Sequence, residues 1–407
     1  MALRLSAETY ASGFDLRVAA TLPEAARRNE VFAARVRAAG LGPDDLVDVS
    51  ALDLLPILSK DELIELQAAN PPFGGLLSPG AQVRRVFQSP GPLFEPELVS
   101  TDTWRLASAF ACAGFDADDI VLNAFSYHLS PAGAMFEEAV IALGGTVLPA
   151  GVGNIELQVR ACRDLGVTAY AGLPSYLKAL LERAEELGFD TASWPLERAM
   201  VSGEPLPDAL RSWLEERVPV VRQLYGTAEA GLLGYECELM EGLHIPQDAL
   251  VQVCDPATGE ALWDGREGEV VVSLFSTEYP LVRFGTGDIS AFLSEPCSCG
   301  LATPRIAGWL GRVGEAVKVR GMFLHPRQAQ AALGQLADVA RFQLVVDRVD
   351  HRDVLRCDVV PAEGKGDQLA ATVREQIRSA LRFDADVVVV DVIGSEEPLI
   401  VDHRSWE

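Results

Sequence analysis

Lysine is nearly missing from this chain. The 34 Lys and Arg residues include only Lys60, Lys178, Lys318 and Lys365 as lysines, and they face 59 Asp and Glu, for a formal net charge of −25. That balance excludes nucleic acid and an anionic membrane surface as partners, because both are held by neutralising phosphates with basic side chains. No stretch of about 18 uninterrupted apolar residues occurs, which argues against a membrane span. The first residues, Met1 to Tyr10, lack a basic segment followed by an apolar run, so no secretory signal is expected. The 7 cysteines are an odd number scattered through a large chain. They make a poor disulfide framework and suit a reducing cytoplasm.

What is present is an ordinary globular balance, 49% apolar and 23% charged, which excludes wholesale disorder. At about 100–200 residues per domain the length implies two or three domains with sizeable cores. Residues 1–80 read as helical: Ala25–Ala39 and Ser59–Ala69 carry apolar residues at helical spacing, and Ser59 with Glu62 forms a capping box. From about residue 100 to 290, helical patterns alternate with short apolar strands at Ile120–Ala124, Thr146–Pro149, Ala169–Ala171, Ala199–Val201, Val220–Leu224 and Val270–Leu274. Such alternation predicts an α/β domain on a mostly parallel sheet. After a Gly-rich, hinge-like Gly308–Gly314 come helical Arg327–Gly334 and Gln368–Leu381, interleaved with strand-like Arg341–Asp347, Val354–Pro361 and Val387–Val392. That order predicts a small α+β domain. The expected division is residues 1–80 as the helical part of the large domain, 81–312 as its α/β body, and 313–407 as the small domain.

Three clusters follow in a telling order: Tyr225-Gly226-Thr227-Ala228-Glu229, Arg283-Phe284-Gly285-Thr286-Gly287-Asp288, and Gly311-Arg312 ahead of Lys318-Val319-Arg320-Gly321. Each alone reads equally well as a glycine turn after a strand; their joint order and spacing are more specific. With LPILSKDEL, PPFGG, Gly172-Leu173-Pro174-Ser175-Tyr176, Gly203-Glu204-Pro205 and EPCSCG, they make the chain resemble the adenylate-forming (AMP-binding) enzymes, and among these the phenylacetate–CoA ligases. The resemblance runs from about Leu55 to Asp402. It implies a large N-terminal α/β domain with a mobile C-terminal α+β lid, and a reaction that joins a carboxylic acid to AMP from ATP and passes the acyl group to coenzyme A.

On that resemblance, Glu229 would hold Mg²⁺, a hard cation that prefers carboxylate oxygens and bridges phosphates. Asp288 would accept hydrogen bonds from the ribose hydroxyls, and Tyr225, with Gly226 and Thr227 beside it, would face the adenine. Gly203, Glu204 and Pro205 would line the nucleotide, and Ser89 would be what remains of a phosphate loop. Arg312, Lys318 and Arg320, with Arg283, would meet phosphates. His128 would touch substrate or thiol, although a lone histidine is more often a structural one. Tyr127, Ala132, Gly133 and Phe136 would wall a small, aromatic carboxylic acid, against the alternative that such aromatics are simply core. The implied cofactors are ATP/AMP, Mg²⁺ and coenzyme A; the implied partners are the acid, the acyl acceptor and a second copy of the chain in a homodimer.

Cys237-x6-His244 and Cys297-Ser298-Cys299 offer a Cys₃His set suited to tetrahedral zinc. Spacing alone leaves open three unrelated thiols and a surface histidine; similar residues in zinc-bearing relatives favour a closed structural site. Three departures favour other chemistry. The phosphate-loop stretch Phe87–Pro96 holds Pro90, Pro92 and Pro96, which have no N–H to give, and Glu95, which would repel phosphates. Ala228 and Gly314 replace a hydroxyl residue and a hinge aspartate. No lysine follows Lys365, where such ligases place a catalytic one, leaving Arg404 or His403 as conceivable substitutes. The alternatives are therefore an acyltransferase working from a preformed acyl-adenylate or thioester, and a non-adenylating protein that binds a nucleotide or acyl-CoA.

Overall fold

The computed structural model describes residues 6–89, 91–313, 317–320, 322–324, 326–350, 352–362, 368–394 and 397–404. Pro90, Gly314, Gly321, Lys365 and the side chain of Lys318, all named above, lie outside the described residues. The chain divides into two compact units, Met1–Gly311 and Arg312–Glu407.

The large unit is built on an eight-stranded sheet. Five of its strands run parallel in the order Thr146–Pro149, Ile120–Asn123, Ala169–Gly172, Arg198–Val201 and Val220–Thr227. Both faces are covered, so successive residues of one strand enter different cores: Ala169 packs with Phe110 and Phe136, and its neighbour Tyr170 packs with Val159 and Leu177. That explains why these strands read as continuous apolar runs. Gly231–Tyr235, Leu243–His244 and Arg305–Ile306 extend the sheet antiparallel. A separate antiparallel group pairs Leu250–Cys254, Gly268–Ser273 and Phe284–Ser290. Val251 and Phe284 of this group share one core with Val18, Leu22 and Phe32 of the N-terminal helices.

The helix expected over Ala25–Ala39 is two helices, Asp15–Arg28 and Glu30–Ala38, because Asn29 turns extended and its side chain accepts from the Phe32 N–H at 2.9 Å. Helix Lys60–Ala69 begins where expected, with the Ser59 hydroxyl accepting from the Glu62 N–H.

The small unit is a four-stranded sheet in the order Asp386–Val389, Arg352–Pro361, Val339–Val349 and Ile400–Asp402, with an antiparallel central pair and parallel outer pairs. Helices Pro326–Leu333 and Leu369–Gln376 supply Leu333 and Val373 to its core beside Phe342, Leu344 and Val359. The second helix passes into a π turn at Ile377–Leu381. No described helix is long and apolar enough to cross a membrane.

Candidate active site

Strands Val220–Thr227 and Phe284–Ser290 bring two of the motif clusters to one place. The Tyr225 hydroxyl donates to Asp288 Oδ2 at 2.9 Å, and the Trp309 indole N–H donates to Asp288 Oδ1 at 3.0 Å. Asp288 is buried, so these bonds aim its carboxylate, an acceptor-only group suited to hydroxyl donors. Residues 63 apart in sequence thus form one polar group, and Trp309 is a member that motif reasoning missed. The turn after Tyr225 is tight: a Cβ on Gly226 would fall 2.5 Å from the Gly231 carbonyl oxygen, and the Thr227 hydroxyl accepts from the Ala230 N–H.

Glu229, at the end of that turn, is buried and ion-paired: Lys60 Nζ lies 2.9 Å from its Oε1. Local sequence dictates how Lys60 arrives there. Leu58 makes a parallel bridge to Phe284, its N–H donating to the Arg283 carbonyl and its carbonyl accepting from the Gly285 N–H. Ser59 then caps a helix and Lys60 occupies its first turn. Burial would raise the Glu229 carboxyl, but the Lys60 ammonium holds it below the ordinary carboxylate range. Glu95 stands on the opposite side of the balance. It is fully enclosed, and burial followed by the nearby Glu229 charge pushes its carboxyl well up. Gln67, on the Lys60 helix, clamps the neighbouring Phe94 backbone through both its amide atoms at 2.8 and 2.9 Å.

The phosphate-loop stretch is a hairpin, Val83–Gln88 against Phe94–Leu98. Ser89 sits at its mouth with its N–H on the Leu93 carbonyl at 2.8 Å and its hydroxyl on the same oxygen at 3.4 Å, so the loop closes on itself. The Gln88 N–H bonds the Leu129 carbonyl, which brings the His128 loop against the hairpin. His128 itself is exposed on that loop. Tyr127 accepts from Asn123 Nδ2 and donates to Glu137 Oε2 at 2.9 Å; burial and Glu137 raise its phenol. Ala132 opens helix Ala132–Ala142, and the Gly133 N–H bonds the Ser126 carbonyl. Phe136 is buried against Phe125, ring centroids 4.2 Å apart, and against Phe110, a core position.

Gly203 takes φ +87° with Leu173 against its back. Glu204 Oε1 accepts from the Ser175 N–H at 2.7 Å, an acid at the start of helix Pro174–Glu186, and Pro205 follows half-buried. Arg283 is a correction: its guanidinium is buried, 2.8 Å from Asp53 and bonded to the Gly259 carbonyl, so it braces the fold and does not face phosphates. Arg404 is another. Its side chain is 2% exposed, 2.9 Å from Asp353 and 2.7 Å from Asp402, so two carboxylates neutralise it and it does not replace the missing lysine. Arg320 is likewise turned to Asp353, its Nε donating to the backbone carbonyl at 2.9 Å. His403 is exposed beside Asp347. Arg312 opens the small unit and Lys318 lies in its Val317–Val319 strand.

The four metal-type side chains meet. Cys237, His244, Cys297 and Cys299 place their ligand atoms within 4.8 Å of one another. Cys237 and Cys297 Sγ are 3.7 Å apart, and Cys299 Sγ lies 3.4 Å from His244 Nε2. Tetrahedral Zn–S and Zn–N bonds of about 2.3 and 2.0 Å put such ligand pairs roughly 3.5–3.8 Å apart, so the donor set fits zinc. His244 Nδ1 is 3.0 Å from the Thr303 carbonyl, which fixes that nitrogen as the N–H and leaves Nε2 as the free donor. Burial lowers the imidazole's affinity for a proton, which keeps it in the ligating form.

Comparisons with known proteins bear on this geometry. A model of the AMP-binding enzyme family matches residues 99–275. A phenylacetate–coenzyme A ligase of Thermus thermophilus is 31% identical over 324 residues, 76% of this chain and 72% of the relative. One of Aromatoleum evansii is 28% identical over 91% of this chain and 89% of its own. Among solved structures, a 2-hydroxyisobutyryl-CoA ligase in complex with 2-HIB-AMP and CoA superposes with a TM-score of 0.88 at 23% identity, over 97% of this chain and 90% of its own. At that identity the likeness speaks for the fold: a large α/β domain followed by a small one.

Proposed function

The chain belongs to the phenylacetate–CoA ligase family of adenylate-forming enzymes, and from that premise we propose that it activates a small carboxylic acid with ATP and transfers the acyl group to the thiol of coenzyme A. The observation that carries this is the joined pair of motifs, Tyr225 on Asp288 beside the Lys60–Glu229 ion pair. A carboxylate is a poor electrophile; as the acyl-adenylate it becomes a mixed anhydride with AMP as leaving group. Asp288, aimed by Tyr225 and Trp309, accepts from the ribose hydroxyls, and Gly203, Glu204 and Pro205 flank the nucleotide. Glu229 would hold Mg²⁺, and its buried, unpartnered Oε2 fits that ligand; when bound, the ion neutralises phosphate charge. Lys60, paired with Glu229, keeps that carboxylate ionised for the ion. The Tyr127 and His128 loop, packed on the hairpin, lines the acid, which we take to be aromatic. Arg312, Lys318 and Arg320 serve the lid, and Cys237, His244, Cys297 and Cys299 hold a structural zinc. The whole works as a cytoplasmic homodimer.

One observation favours a second reading, an acyltransferase fed with a preformed adenylate: Ser89 spends its N–H and hydroxyl on Leu93, leaving little to cradle a triphosphate. Pyrophosphate release with ATP, Mg²⁺ and a panel of carboxylic acids decides between them. Release with at least one acid supports the ligase; turnover of synthetic acyl-AMP without any release from ATP supports the transferase.

A further inference from the structure

Besides its internal bond from Ala230 to Thr227, the turn that carries Glu229 is held from outside. The carbonyls on either side of Glu229 are both taken by side chains of one distant segment. The Trp104 indole N–H donates to the Ala228 carbonyl at 3.2 Å, and Arg105 Nη2 donates to the Ala230 carbonyl. The Trp104 carbonyl in turn accepts from the Leu232 N–H at 2.9 Å. Gly231 lets the two chains close: a Cβ there would fall 2.4 Å from the Trp104 carbonyl oxygen. Local sequence prepares the segment. The Asp102 carboxylate accepts from the Leu106 and Ala107 N–H groups at 3.1 and 2.9 Å, and the Arg105 N–H closes on the Asp102 carbonyl at 3.0 Å. Arg105 takes φ +63°, a left-handed conformation that strains a residue other than glycine. The same segment reaches the phosphate hairpin and the acid-side helix. The buried Trp104 ring packs edge-on against Phe87, centroids 5.8 Å apart, and the Thr103 N–H donates to Glu138 on helix Ala132–Ala142 at 3.2 Å.

We propose that Trp104 and Arg105 are positioning residues that fix Glu229 against the phosphate hairpin, and that this placement serves ATP with its Mg²⁺ and not AMP alone. Two donors on the flanking carbonyls fix the backbone of Glu229 and so the direction in which its carboxylate leaves the turn. The ring contact with Phe87 ties that direction to the hairpin. Strain at Arg105 persists because the contacts around it over-determine the turn. The Tyr225–Asp288 pair joins two other strands, so the adenosine side does not depend on this clamp. The assignment rests on the proposed role of Glu229; what it adds is the pair of residues, outside every motif, that aims it.

The test is calorimetry on the zinc-loaded protein with two ligands and no acid: ATP with Mg²⁺, and AMP without it. Trp104→Phe keeps an aromatic ring against Phe87 and removes the N–H. Arg105→Lys keeps the charge near Asp248, which lies 3.5 Å from Arg105 Nε, and loses the planar fork. Either variant that keeps the wild-type circular dichroism decides the matter. Loss of one hydrogen bond weakens ATP binding with Mg²⁺ by about fivefold or more, while AMP binding stays within about twofold of the wild type. A folded variant that binds ATP with Mg²⁺ like the wild type overturns the proposal. Equal weakening toward AMP also overturns it, since general damage to the fold would move both ligands. So does a wild type that binds AMP but no ATP with Mg²⁺. Pyrophosphate release is scored separately. Release with an acid, together with unchanged ATP binding in Trp104→Phe, leaves the ligase standing and this proposal fallen. Trp104-dependent ATP binding with no release from any acid does the reverse.

Discussion

Replacing Lys60 by Met removes the only ammonium paired with Glu229 in the described structure, and its effect follows from geometry. The pair is 2.9 Å apart with side chains 13% and 4% exposed. Unit charges at that distance attract by roughly 6 kcal/mol at an effective dielectric of about 20. Desolvation already offsets much of this in the folded protein. Deleting one partner restores none of that offset, because Glu229 stays buried without its cation, so the expected loss is about 3–5 kcal/mol. The sign with pH is fixed as well. The Glu229 carboxyl is held low in the folded state, so its stabilisation is present above the unfolded carboxylate range and is lost as pH falls through the folded value. Without Lys60 the carboxyl rises, and the variant is hurt more at pH 8 than at pH 5. Urea denaturation of both proteins at the two pH values measures this. A loss below about 1 kcal/mol at pH 8, the size of an exposed pair, or an equal loss at both pH values, refutes the reasoning.

Other consequences are as direct. Cys299→Ser removes one thiolate of the Cys₃His set, so elemental analysis should find zinc reduced from one per chain, with a lower thermal midpoint. Trp309→Phe deletes an N–H bonded to the Asp288 carboxylate at 3.0 Å; a bond to a charged group contributes about 1.5–3 kcal/mol, so calorimetry should show AMP binding weakened at least about tenfold, while Asp288→Ala abolishes it. Glu138 is raised by burial and by its hydrogen bond with Glu97. A raised carboxyl costs stability as pH climbs from the unfolded value through the folded one. The wild type should therefore lose stability relative to Glu138→Gln as pH rises above the ordinary carboxylate range, and a pH-independent difference contradicts that.

Much of the fold was legible because it depends on local pattern. The Thr146–Pro149 strand and the Ser59 cap fall where apolar runs and capping chemistry put them, and the α/β layering follows from strands buried on both faces. The Asn29 break was hidden because Asn29 sits inside an unbroken helical periodicity and acts only through its cap. At the site, what motifs carry was readable: Tyr225, Asp288 and the cysteine pairs assemble although the metal-type pairs are some 60 positions apart. What pairing across the fold decides was not. Lys60 looked like one of four stray lysines until the Leu58–Phe284 bridge carried it to Glu229. Arg283 and Arg404 have the charge a phosphate needs, yet Asp53, Asp353 and Asp402 claim them first. Trp309, outside every motif, supplied no signal; its role exists only because its indole reaches Asp288.

The most direct measurement is pyrophosphate release and thioester formation by the zinc-loaded protein with ATP, Mg²⁺, coenzyme A and a panel of aromatic and short branched acids. Acid-dependent release, matched by acyl-CoA and abolished in Asp288→Ala, is the expected result. AMP binding without release from any acid would contradict it.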